Sequence, residues 1–83
     1  MSILKKQLIE GLEVCDIDSS DLKRSIYDES TKELIIEFKK GTKYGYKPVS
    51  EMIYQKFLTS SSQGKFFVAA IKNNREIVCS KIS

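Results

Sequence analysis

Residues 33–48, ELIIEFKKGTKYGYKP, decide the fold. Leu34, Ile36 and Phe38 alternate with Ile35, Glu37 and Lys39, which is the period of a half-buried strand. Lys40-Gly41 supplies turn chemistry. Tyr44 and Tyr46 then alternate with Lys43, Gly45 and Lys47 until Pro48, which has no N–H to give to a ladder, closes the run. The stretch reads as an antiparallel hairpin, and its loop count decides where the tyrosines point. A two-residue loop of Lys40-Gly41 pairs Phe38 with Lys43 and sets Tyr44 and Tyr46 on the face opposite Leu34, Ile36 and Phe38, as an exposed platform. A three-residue loop with a bulge at Gly41 reverses the parity and carries both tyrosines into the core, where their hydroxyls seek polar partners and line a cleft. Sequence leaves both open.

On the N-terminal side of the hairpin, residues 28–32 form a polar loop, and residues 22–27 alternate as a strand that completes a meander. Asp18-Ser19-Ser20-Asp21 is a turn cluster. Residues 12–17 fit a short strand or an extended linker equally. Residues 2–10 place Leu4, Leu8 and Leu12 at helical spacing with Gly11 at the position of a C-terminal cap, so a short amphipathic helix is expected there.

On the C-terminal side, Ser50 has the character of an N-cap, and Ile53, Tyr54, Phe57 and Leu58 form the apolar stripe of a helix running to about Thr59. The polar run TSSSQGK interrupts it before Phe66, Phe67, Ala70 and Ile71 resume helical spacing. Asn73-Asn74 makes a turn, and residues 76–82 read either as a last strand or as a segment that pairs with a neighbour. The expected architecture is α+β: a three- to four-stranded antiparallel β-meander packed with two or three short α-helices, all in one domain spanning residues 1–83.

The chain has 83 residues, 14 basic and 11 acidic, no histidine and two cysteines. A domain of this size buries only roughly 60–65% of the surface its unfolded chain exposes, so oligomerisation is a natural source of added stability. Cys15 and Cys79 are expected as reduced thiols, with a disulfide tying the termini as the alternative. With no histidine, and with carboxylates scattered through turns and strand edges, neither a catalytic site nor a metal site is expected, and no cofactor. No stretch has the length and character of a membrane span or signal peptide, and a cytoplasmic protein is expected. The mild positive charge favours anionic partners, while the Ser/Gly loop ahead of Lys65 has the composition of a phosphate contact.

Several short motifs occur together in order: Asp18-Ser19-Ser20, Tyr27-Asp28, the LIIEFKKGTKYGY hairpin with its Y-x-Y pair Tyr44 and Tyr46, Pro48-Val49 ahead of a helix bearing Tyr54, SSQGKFF, and Ile71-Lys72. Over residues 17–72 this pattern resembles the KTSC domain, a module found at the C-terminus of some lysyl-tRNA synthetases and alone in bacterial and phage proteins. Val68 stands where members of that family commonly carry a polar residue, and both ends carry short extensions. The lack of catalytic residues leaves binding to carry the function, and the resemblance, through its synthetase association, implies RNA as one ligand.

The expected function is therefore a non-catalytic nucleotide-binding protein. One form it takes is a homo-oligomeric sponge, dimer or tetramer, that sequesters a cyclic dinucleotide and blunts a host's antiviral signalling; such a protein would act in the host cytoplasm if phage-encoded. An RNA-binding module and a protein-interaction adaptor are the alternatives. For a nucleotide, Tyr44, Tyr46 and Phe66 are the expected stacking groups, and Arg24, Lys43, Lys47, Lys65 and Lys72 the expected phosphate contacts.

Overall fold

The computed structural model describes residues 2–9, 11–18 and 21–82. Six antiparallel strands lie side by side in chain order: β1 (Ser2–Ile9), β2 (Leu12–Asp18), β3 (Leu22–Asp28), β4 (Glu33–Phe38), β5 (Lys43–Lys47) and β6 (Val78–Lys81). Between β5 and β6 the chain forms α1 (Glu51–Thr59) and the one-turn α2 (Gln63–Phe66), which runs on into a π-helical segment, Phe67–Lys72. This is an α+β fold, with helices on one face of a single sheet.

The sheet has more strands than the sequence suggests, because residues 2–9 form a strand instead of a helix. A spacing of four residues satisfies both periods, one helical turn or two strand pleats, so Leu4, Leu8 and Leu12 do not discriminate between them. Gly11 is equally ambiguous. Its φ of +80° serves the turn between β1 and β2, and a helix C-cap asks for the same region. Partnership decides the matter: β1 pairs with β2 from Ser2↔Asp18 to Ile9↔Leu12, and this fixes residues 12–18 as a strand as well.

The central hairpin takes the three-residue loop. Leu34 pairs with Tyr46, Ile35 with Gly45 and Ile36 with Tyr44. The Phe38 N–H donates to the Thr42 carbonyl at 2.9 Å, the Gly41 N–H donates back to the Phe38 carbonyl at 2.9 Å, and Gly41 sits at φ +100°. Lys39, Lys40 and Gly41 therefore make the loop. Both tyrosines fall on the same face as Leu34 and Ile36, beneath the helices, and the exposed-platform alternative is ruled out.

That face carries the core. Ser50 caps α1, its Oγ accepting from the Ile53 N–H at 3.2 Å, and the helix buries Tyr54 and Phe57 against the sheet. Tyr54 stacks on Tyr27 with ring centres 4.4 Å apart. The Tyr27 hydroxyl donates to the Val49 carbonyl at 2.7 Å, and the Tyr54 hydroxyl lies 3.4 Å from both Cys15 Sγ and Ser25 Oγ. These pairings satisfy phenols that would otherwise be stranded in an apolar layer. Cys15 is buried and Cys79 exposed, and both are free thiols. Among the described residues no helix is long and apolar enough to cross a membrane.

Candidate functional site

A cleft of about 1000 Å³ opens between the β4–β5 loop, the start of β3 and the segment from α2 through the π-helical turns. The three-residue loop places Lys39 and Lys40 on one wall, and the Lys39 N–H is tied to the Asp21 carbonyl at 2.9 Å, which joins this loop to the turn before β3.

The opposite wall begins at the serine-rich run. The Ser60 hydroxyl donates to the Ser62 carbonyl and accepts from the Ser62 N–H, both at 3.1 Å, and Ser62 Oγ accepts from the Lys65 N–H at 3.4 Å. Gln63 is buried, and its amide donates to the Leu58 and Ser60 carbonyls at 3.2 and 3.3 Å. The serines thus fold their own loop and cap α2. What they contribute to the cleft is the placement of Gly64 and Lys65. Beyond Phe66 the helix widens: the Asn73 N–H bonds the Val68 carbonyl five residues back at 3.1 Å. In this wider turn Phe67 and Ile71 are buried in the core, while Val68, Ala69 and Lys72 line the cleft. Such π-helical turns are uncommon and concentrate at functional sites.

Among the described residues, Leu22, Phe38, Phe67 and Val68 give the cleft an apolar lining, and Lys39, Lys40, Lys65 and Lys72 supply four cations against the single carboxylate of Asp21. A concave, apolar-lined site with one dominant sign of charge concentrates oppositely charged ligands. Val68 is 44% exposed, so its methyls are free to meet a ligand.

Only two of the residues expected to bind a nucleotide, Lys65 and Lys72, reach this cleft. Tyr44 and Tyr46 stand behind it. Tyr46 is 3% exposed and meets Phe67 edge-on at 5.1 Å, and Tyr44 meets Phe38 edge-on at 5.9 Å. Phe38 and Phe67 in turn touch at 5.9 Å, so the tyrosine pair supports the two rings that line the site. Burial pushes the Tyr46 phenol well above its ordinary pKa, and the Cys79 thiol hydrogen-bonded to it adds to the effect. Tyr46 therefore has no free ring face to offer a base. Phe66 is half-buried and packs towards Phe57.

Arg24, Lys43 and Lys47 project from the other face of the sheet, because each alternates with a core position of its strand. Arg24 is paired with Asp16 at 2.8 Å, and this partner raises its pKa further. Sequence reasoning missed Phe38, Lys39, Lys40 and Leu22. The Lys39-Lys40 pair was visible, and a three-residue reading of the loop would have brought it to the tip facing Lys65.

A family model for the KTSC domain matches residues 18–74, which takes in every residue named in the cleft. The fold is similar to the crystal structure of a KTSC domain protein from Yersinia pestis, with a TM-score of 0.74 and 30% identity, covering 95% of this chain and 97% of that one. No curated protein matches. The segments flanking the matched stretch, which resemble extensions in sequence, supply the edge strands β1 and β6 and nearly all of β2 to the same sheet. The chain belongs to the KTSC domain family.

Proposed function

We propose that this chain is a non-catalytic binding protein that captures a phosphate-bearing nucleotide, a cyclic dinucleotide in particular, in the cleft between Lys39-Lys40 and Lys65-Lys72, and acts by sequestering it. The observation that carries this reading is the juxtaposition of four lysines and one carboxylate with an apolar lining. Ammonium groups on both walls suit a ligand with more than one phosphate, and the lining between them suits bases or sugars. Size points the same way: ligand sites span roughly 300–1000 Å³, and at about 1000 Å³ this one is roomy for a lone phosphate and suited to two linked nucleotides.

Calorimetry with a panel of cyclic dinucleotides tests the proposal. Micromolar or tighter binding, weakened at least roughly tenfold by Lys65→Glu, supports it, since reversal turns one attraction into a repulsion. No heat at high micromolar ligand with a folded protein sinks it. RNA is the competing ligand. It would reveal itself by affinity that falls steeply with salt as many phosphates are neutralised, whereas a dinucleotide with few phosphate contacts responds less.

A further inference from the structure

The face of the sheet turned away from the helices is built to be covered. An antiparallel sheet with one wet face alternates apolar and polar residues, but β4 reads Leu34-Ile35-Ile36, apolar on both sides. The pairings Val14↔Ile26, Ile26↔Ile35 and Ile35↔Gly45 put a continuous apolar row across the middle of the open face. Ile82 extends it, its Cδ1 lying 3.2 Å from where a Gly45 Cβ would stand, and is itself 50% exposed. Among the described residues, the helices all pack on the other side.

A second row runs beside the apolar one, across β2, β3, β4 and β5: Asp16, Arg24, Glu37, Lys43. Its signs alternate, and they invert about the line between β3 and β4. A two-fold axis lying along that line, parallel to the strands, exchanges β2 with β5 and β3 with β4. It sets Asp16 against Lys43 and Arg24 against Glu37 of a second copy, and Ile26 against Ile35. Val14 then meets Gly45, over which both the Ile82 side chain and the Glu33 carboxylate lie. Of the acids on the far side of the apolar row, Asp28 is turned into its own loop, accepting from the Ser30 N–H and Oγ at 3.0 and 2.6 Å, and Glu33 leans over Gly45.

We infer that two copies of this chain pack face to face through their open sheets. Six strands at ~4.8 Å spacing and five or six residues at ~3.3 Å give a contact about 24 by 18 Å. Before side-chain relief is added, this is a little over half of the roughly 800 Å² that each partner gives to a standard interface. The dimer should accordingly form in the micromolar range, with the lysine clefts on its two outer surfaces.

Sedimentation velocity of the full chain from about 1 to 200 μM tests this. The expected result is a monomer–dimer equilibrium. Arg24→Glu and Glu37→Arg, each checked for folding by circular dichroism, should each weaken dimerisation roughly tenfold or more, because each places like charges in apposition across the axis. Mixing the two variants should restore the dimer, since positions 24 and 37 then carry opposite signs across the axis. A monomer throughout the range overturns the inference. So does a dimer indifferent to both variants, which would lie on a strand edge or the helical face, and so does failure of the mixture to recover.

Discussion

The Tyr46 ring stands edge-on to Phe67, centre to centre 5.1 Å and at 82°. This contact joins the pair of tyrosines that marks the sequence to the lining of the cleft, because Phe67 is also a cleft residue. Tyr46→Ala should cost about 3–5 kcal/mol of stability, as large aromatic deletions in cores do. Tyr46→Phe keeps the ring contact and gives up only the hydroxyl, for about 1 kcal/mol. Urea unfolding of both measures the gap, and equal losses would show that the ring contact matters less than the phenol.

Charge reversal separates the two faces of the sheet. Lys39→Glu and Lys65→Glu lie on opposite walls of the cleft, and each should weaken nucleotide binding by at least roughly tenfold. Lys47→Glu, on the open face, should leave affinity within about twofold, since its charge lies across the sheet and is largely screened at physiological salt. A larger effect from Lys47 than from Lys65 places the ligand on the wrong face for this account.

Two glycines of the central hairpin should respond differently. Gly41 sits at φ +100°, where any Cβ is strained, so Gly41→Ala should cost about 1 kcal/mol or more. At Gly45 an added Cβ would meet Glu33 Oε2 at 2.9 Å and Ile82 Cδ1 at 3.2 Å. Both are far ends of flexible side chains that can swing aside. Thermal denaturation should rank Gly41→Ala as the more damaging change.

Stability should decline at alkaline pH through Tyr54. Burial raises its phenol above the ordinary tyrosine value of about 10, reinforced by the Cys15 thiol at its hydroxyl. The folded state thus keeps a proton that the unfolded chain gives up, so this contribution is whole below pH 10 and is lost as pH climbs beyond it. Tyr54→Phe should flatten the decline above that pH. It should also cost about 1 kcal/mol at neutral pH by leaving Cys15 and Ser25 without their partner. An unchanged alkaline profile assigns the decline to another group.

Where local chemistry is unambiguous, the sequence speaks for itself. Ser50 with Ile53, Tyr54 and Phe57 announces α1, and the alternation through residues 33–47 announces the central hairpin. Residues 2–12 do not discriminate, since a four-residue leucine spacing and a positive-φ glycine suit helix and hairpin alike, and only the pairing with β2 decides. The candidate site was half legible for a similar reason. Lys65 and Lys72 stand out beside the Ser/Gly loop, but Lys39 and Lys40 join them through a one-residue difference in loop count. That same difference moves Tyr44 and Tyr46 from a platform into the support behind the cleft.

Amide chemical shifts of the isotope-labelled protein, followed as a cyclic dinucleotide is added, test the central claim most directly. The account predicts perturbations concentrated at residues 38–41, 64–69 and 72, with Arg24, Lys43 and Lys47 undisturbed. Perturbations centred on those three residues, or none at all at high micromolar ligand, would contradict it.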